Sequence, residues 1–343
     1  MIVKENNIAF ETCDMNFVKK FGISEAMNMV RDFASNHKTP FIFDTYQLAD
    51  LLRMSRKKLF NITKNIQKYY RSITLKKKNG KLRVLNAPNS ILKSTQQIIL
   101  HKILDKMPAS DYATAYVKGK DISDNARAHV GQKYILKMDI TDFFGSIYFE
   151  DIYKTAFNTS LFPIQIGAML TTLCTYNDVL PQGAPTSPAL SNIVMRNFDN
   201  NIGAWCEKNS ITYTRYCDDM TFSSDKPLYN VYVKVKKMLE DMGFEINEEK
   251  TRFVTNVSRQ TVTGLTVNEK LSITSDYKRK LRQEVHYACK FGLCDALSRQ
   301  NNPKIRDAEH YRNSLLGKIR FVLQIEPQNT WFRDAFYRIS LAK

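Results

Sequence analysis

A chain of 343 residues with 43% hydrophobic and 25% charged side chains has the composition of a globular protein, and it is long enough for one large domain or several packed subdomains. No stretch approaches the roughly 18 uninterrupted apolar residues of a membrane span. The opening segment, Met1 to Phe17, lacks the apolar core and cleavage site of a secretion signal, so a cytoplasmic protein away from membranes is expected. The six cysteines form no C-x-x-C pair, which predicts reduced thiols and argues against zinc. The net charge of +17 points to a polyanionic partner, and its distribution sharpens the point. Residues 61–138 carry 16 basic and 4 acidic side chains, residues 139–260 carry 11 and 15, and residues 261–343 carry 15 and 8. An acidic middle between two basic flanks suits a metal site held between two phosphate-binding surfaces.

In chain order, residues 1–40 read as a partly helical extension ending at Pro40. Residues 44–70 place Leu48, Leu51, Leu52, Leu59, Ile62 and Ile66 at helical spacing, with a helix start near Ser55. Asn79-Gly80 predicts the turn of a hairpin between strands beginning near Ile73 and Leu82. An amphipathic helix is expected over 90–107 and a buried strand over 133–140. Largely helical chain follows over 149–175, then a helix over 189–207. Residues 210–216 and 219–224 alternate apolar and polar side chains around Cys217-Asp218, as a hairpin does. A helix over 228–242, short strands near 244–247, 252–256 and 261–273, and a basic helical tail over 275–343 complete an α+β chain. In the tail, Lys278, Arg279, Lys280 and Arg282 alternate with Tyr277, Leu281 and Val285, giving one apolar and one phosphate-facing side. Leu315, Leu316, Ile319, Val322 and Leu323 have core spacing, with Gly317 placed to allow close packing.

Three aspartates carry the chemistry. Asp139 ends the buried strand, and Asp218 and Asp219 occupy the hairpin turn. Magnesium takes hard oxygen ligands, and two ions about 4 Å apart serve nucleotidyl transfer, so carboxylates from different strands must meet at one point. By itself Asp218-Asp219 reads equally well as a polar hairpin tip.

The surrounding motifs narrow the choice. Tyr216-Cys217-Asp218-Asp219 resembles the Tyr-x-Asp-Asp box of reverse transcriptases, although the family more often has alanine where Cys217 stands. Lys137 to Phe144 resembles the family's first catalytic strand, Leu180 to Pro188 the loop that follows it, and Asn247 to Thr251 its lysine-bearing segment, all in the family's order. Asn125-Ala126-Arg127-Ala128-His129 and Val262-Thr263-Gly264 resemble the N-A-x-x-H and V-T-G signatures of bacterial retron reverse transcriptases. The resemblance covers roughly residues 44–330.

It implies a right-hand polymerase fold: an extension at 1–43, fingers over 44–138, an antiparallel-sheet palm over 139–260 that draws on part of 90–138, and the palm end with a helical thumb over 261–343. Asp139, Asp218, Asp219 and the backbone of Ile140 would hold two Mg2+ ions, with Mn2+ as the alternative metal. Lys250 would lie near the leaving pyrophosphate, and Asp142 would be a supporting or capping group. Phe144 would gate against a ribose 2′-hydroxyl, with Phe143 in the core. Gln182 and Gly183 would line the nucleotide pocket, and Lys81 and Arg83 would approach the triphosphate. Lys76, Lys77, Lys78, Asn125, His129, Val262, Thr263, Gly264, Lys278, Arg279 and Arg282 would bind or position RNA and DNA. From the residues alone, Phe144 could equally be core, Gln182-Gly183 a surface turn, and Lys250 and the lysine run solvated. The implied partners are dNTPs, a cognate structured non-coding RNA with its RNA–DNA product, and a separately encoded effector protein. The implied reaction primes from an RNA 2′-hydroxyl, yields branched multicopy single-stranded DNA, and serves anti-phage defence. The rivals are a group II intron-like or other phage-defence reverse transcriptase and a non-catalytic RNA-binding scaffold. Phe144 counts against an RNA-making polymerase.

Overall fold

The computed structural model describes residues 38–76, 80, 82–299 and 305–342, together with positions 22, 24, 25, 28 and 31–33. Most of the expected N-terminal extension, the hairpin-tip residues Lys77, Lys78, Asn79 and Lys81, and the side chain of Arg83 lie outside the described residues.

The first helical segment is two helices, α1 (Thr45–Leu51) and α2 (Arg56–Lys64). Each has a side-chain cap: Asp44 accepts from the N–H groups of Tyr46 and Gln47, and Ser55 accepts from Lys58, which places the second helix start where the sequence puts it. The hairpin follows as β1 (Tyr70–Lys76) and β2 (Leu82–Pro88), antiparallel from Tyr70 opposite Pro88 to Lys76 opposite Leu82. Helix α3 (Ser90–Lys102) is capped by Asn89, and α4 (Ile122–Arg127) carries a reciprocal capping box between Asp121 and Asp124.

A four-stranded antiparallel sheet then forms in the order β4-β5-β3-β6 from β3 (Tyr134–Asp139), β4 (Thr212–Tyr216), β5 (Asp219–Ser224) and β6 (Arg252–Thr255). Between β3 and β4 run α5 (Phe149–Thr155), α6 (Ile164–Cys174) and the 22-residue α7 (Ser187–Lys208); α8 (Tyr229–Glu240) follows β5. Beyond β6 come three two-residue strands, β7 (Thr261–Val262), β8 (Leu265–Thr266) and β9 (Ser272–Ile273), and four helices, α9 (Ser275–Phe291), α10 (Leu293–Ser298), α11 (Ala308–Ile325) and α12 (Thr330–Leu341). The expected strand at 244–247 reduces to one bridge between Ile140 and Ile246.

Two hydrophobic cores organise these elements. The larger takes Leu136 and Met138 from β3, Met220 and Phe222 from β5, and apolar residues of α1 to α3 and α5 to α8. The smaller takes Ile135 from the opposite face of β3, Ala126 from α4, and the buried faces of α9 to α12. Because successive strand residues face opposite ways, β3 is buried on both sides and joins the cores. This is the expected α+β right hand, with an antiparallel-sheet palm and a helical thumb. Leu315, Ile319 and Val322 are buried and Leu316 and Leu323 partly so, as their spacing requires. Gly317 is a correction: a Cβ built there meets nothing within 4 Å, so close packing does not require glycine. Gly203 shows the opposite case. There the Tyr112 ring lies where a Cβ would go, with an approach of 2.1 Å.

Candidate active site

Strand register brings the aspartates together. Asp139 is directly opposite Asp219 across the β3–β5 pair, and Tyr216 is opposite Asp219 across β4–β5. The connecting turn is tight: Cys217 has φ +62°, a conformation that L side chains rarely adopt. Backbone hydrogen bonds stitch the turn to its surroundings. Ile140 N–H donates to the Asp218 carbonyl at 3.2 Å, and Asn247 N–H donates to the Asp139 carbonyl at 2.8 Å. The second bond delivers Lys250, whose Nζ lies 2.8 Å from both carboxylate oxygens of Asp139.

Burial and mutual repulsion govern the ionisation of the cluster. Burial first, then repulsion from Asp218 and Asp139, raises the Asp219 carboxyl to about 6. Asp218 is raised by the same two causes, burial and then Asp139. Burial alone would lower Lys250, but its hydrogen bond to Asp139 and the neighbouring carboxylates hold its ammonium above the ordinary lysine range. The donor set is hard oxygen, which fits magnesium or manganese and not a thiolate-seeking metal. Among the described residues no group of three or more His, Cys, Asp or Glu side chains stands arranged to hold an ion, and both oxygens of Asp139 are engaged by Lys250.

The segment after β3 forms the adjoining wall. Phe143 is buried against Phe244, ring centroids 5.9 Å apart, while Phe144 is half-buried beside it at 5.6 Å. The pair lies in a turn, not on a strand, so turn geometry rather than strand alternation divides it. Asp142 has φ +40° and accepts from Gln182 Nε2 at 3.3 Å, tying the Gln182–Ser187 loop to this turn. Gly183 has a steric reason: a Cβ there would stand 2.7 Å from the Asn86 carbonyl oxygen of β2.

Residues 75–284 match the family model described as reverse transcriptase (RNA-dependent DNA polymerase). Among curated relatives, the retron Mx65 reverse transcriptase of Myxococcus xanthus is 31% identical over 76% of this chain, and the chain spans 62% of that relative's length. The retron Ec86 reverse transcriptase of Escherichia coli is 30% identical over 76% of this chain and 78% of its own. The retron Ec83 reverse transcriptase of the same organism is 32% identical over 76% and 84%. The chain belongs to the retron reverse transcriptases.

Within that family membership the two signature motifs need a different account from the one the sequence suggests. Asn125, His129 and Val262, expected to bind or position RNA and DNA, are buried, and their side chains face other parts of the protein. Asn125 accepts from the Thr114 hydroxyl at 2.9 Å. His129 is wedged between Ser223 Oγ of β5 at 2.7 Å and Thr214 Oγ1 of β4 at 2.8 Å, and burial lowers its pKa to about 3, so the ring is neutral. Thr263 donates its hydroxyl to the Ile122 carbonyl at 2.9 Å, and Thr263 and Gly264 both have positive φ in the β7–β8 turn. The N-A-x-x-H helix thus packs on β4, β7 and β8 and joins palm to thumb. Lys278 lies 2.7 Å from Glu326, both largely buried, in an ion pair within the C-terminal helices. Arg279 pairs with Asp276 at the surface, and Arg282 stacks over Trp331 and Phe332 while remaining exposed. Lys76 is exposed at the end of β1.

One buried cluster escapes sequence reading. Arg215, with no exposed surface, lies two residues before Cys217 in an ion pair with Asp199 of α7. The available signal was a charged residue in the apolar strand leading into Tyr216, matched by an aspartate on the buried face of α7.

Proposed function

We propose that this protein is an active RNA-directed DNA polymerase that joins dNTPs to a primer hydroxyl using a dedicated, structured non-coding RNA as template. The observation that carries this reading is the meeting of Asp139, Asp218 and Asp219 at one end of the two central palm strands, with Lys250 bonded to Asp139. Asp139, Asp218, Asp219 and the Ile140 carbonyl would hold Mg2+ or Mn2+. Such ions supply activation of the attacking hydroxyl and neutralisation of charge on the phosphates. Lys250 would hold or give a proton near the departing pyrophosphate. Phe144 would crowd a ribose 2′-hydroxyl, while Gln182 and Gly183 would border the nucleotide. Lys81, Arg83 and Lys76 to Lys78 would approach phosphates from the fingers, and Arg279 and Arg282 from the thumb.

Family membership supports the finer reading: priming from an internal RNA 2′-hydroxyl, a branched RNA–DNA product, and a role in anti-phage defence with a separately encoded effector. None of the described helices is long and apolar enough to cross a membrane. The test is to purify wild type and the double variant Asp218→Ala, Asp219→Ala with their bound nucleic acid and measure magnesium-dependent dNTP incorporation. Incorporation by wild type alone, on RNA and through a bond cut by a debranching enzyme, is expected. Absence of incorporation by both, with RNA still bound, would replace the polymerase by an RNA-binding scaffold.

A further inference from the structure

We propose that Arg215 is the positioning residue of the catalytic turn: its guanidinium, locked by Asp199, holds the Cys217 carbonyl and thereby aims Asp218 and Asp219. Every donor on the fork that bears on this is assigned. Nε and Nη2 reach the two oxygens of Asp199 at 2.9 and 2.6 Å, Nη2 also reaches Asn192 Oδ1 at 3.2 Å, and Nη1 reaches the Cys217 carbonyl at 3.0 Å. Asp199 is further fixed by the Tyr213 hydroxyl at 2.8 Å, and Asn192 by its own bond to the Ala115 carbonyl at 2.9 Å. The strand is pinned as well, since Arg215 N–H donates to the Tyr112 carbonyl and Thr114 N–H donates to the Arg215 carbonyl.

A buried ion pair is seldom the cheapest way to stabilise a core, because apolar side chains of similar volume do as well. What an apolar pair cannot provide is a directed N–H aimed at a particular carbonyl. Here that carbonyl belongs to Cys217, the residue with positive φ immediately before Asp218. Arginine is needed for geometry and not charge alone, since a lysine can serve Asp199 or the Cys217 carbonyl but lacks the planar fork that serves both. Both anchors, Asn192 and Asp199, belong to α7, which starts at Ser187 directly after the Gln182–Gly183 loop. One side chain therefore couples the helix behind the nucleotide loop to the carboxylate turn.

The inference rests on the polymerase reading for its meaning, so its test has a readout that does not require turnover. Full-length wild type and Arg215→Lys are compared by amide hydrogen exchange with mass spectrometry, by thermal unfolding, and by single-nucleotide incorporation on a primed RNA. Exchange over 216–220 should accelerate about tenfold or more while α7 and β5 beyond Met220 keep wild-type protection. The kcat should fall about tenfold or more, with the dNTP KM and RNA Kd within about twofold of wild type. Unchanged exchange over 216–220, acceleration spread evenly through β4, β5 and α7, or a wild-type kcat would each overturn the proposal. If wild type itself incorporates nothing, the polymerase reading fails and the exchange pattern still decides the positioning role. Should Arg215→Lys not fold, Asn192→Leu, which frees one corner of the fork while leaving the ion pair, must show the same local pattern at smaller amplitude. Wild-type exchange and kcat in that variant would refute the coupling.

Discussion

His129 makes a quantitative prediction about stability and pH. Its ring is fully buried between Ser223 and Thr214, and burial lowers its pKa to about 3 against an ordinary value of 6.5. Below pH 6.5 the unfolded chain takes up a proton at this residue and the folded chain does not. The stability supplied by a neutral His129 is therefore complete above pH 6.5 and is lost as pH falls toward 3. Integrated between those two values, the loss is about 2 kcal/mol at pH 5 and about 4 kcal/mol at pH 3. Carboxylates titrate in the same range, so the wild-type curve alone cannot isolate the term. His129→Gln keeps one donor and one acceptor but removes the titration. Urea unfolding of both proteins at pH 7.5 and pH 5 should show the variant less stable at pH 7.5 by about 1–3 kcal/mol for imperfect hydrogen bonding. That gap should shrink by about 2 kcal/mol at pH 5. A gap that stays constant between the two pH values would refute the assignment of a buried, neutral ring and reopen a surface role for this signature residue.

Other substitutions test the site and its supports. Because burial and the neighbouring carboxylates raise Asp219 to about 6, its ionisation opposes folding as pH rises from about 4 through 6. Asp219→Asn in chelator should therefore melt higher than wild type at pH 8 and show no such gain at pH 4, while losing dNTP incorporation; a lower melting temperature at pH 8 would contradict the repulsion. Phe144→Val should improve the use of ribonucleotides relative to deoxyribonucleotides about 10- to 100-fold in single-incorporation kinetics. An unchanged ratio would return Phe144 to an ordinary packing role. Gly203→Ala drives a methyl into the Tyr112 ring and should cost about 1–3 kcal/mol in denaturant unfolding without altering the dNTP KM. RNA affinity should fall steeply with salt, with a log–log slope set by the number of phosphates contacted; a flat dependence would exclude the basic flanks as the binding surfaces.

The parts of the fold written in local patterns were legible from the sequence. Turn chemistry, capping residues and strand alternation depend on near neighbours, so the hairpin of β1 and β2, the helix start at Ser55, and the hairpin bearing Asp218 and Asp219 all stand where sequence places them. The expected strand at 244–247 does not develop because only Ile246 finds a partner, Ile140, and pairing depends on a distant segment. Gly317 looked like a packing glycine beside apolar neighbours, yet the space around it is open, which no helical periodicity reveals.

By itself the sequence determined the family, the order of the catalytic motifs and the residue types that a cation site needs, because these are carried by short runs of adjacent residues. Which polar groups face solvent and which face each other was set by long-range packing. Lys250 meets Asp139 across 111 positions, and His129 meets Ser223 across 94. Asn125, His129 and Val262 are buried and Lys278 is paired with Glu326, while Arg215 and Asp199, unremarked in the sequence, form a buried ion pair beside the Cys217 turn. The physical reason is the same in each case. A polar side chain has the same chemistry wherever it lies in the chain, and its role depends on whether folding leaves water, phosphate or another side chain as its partner.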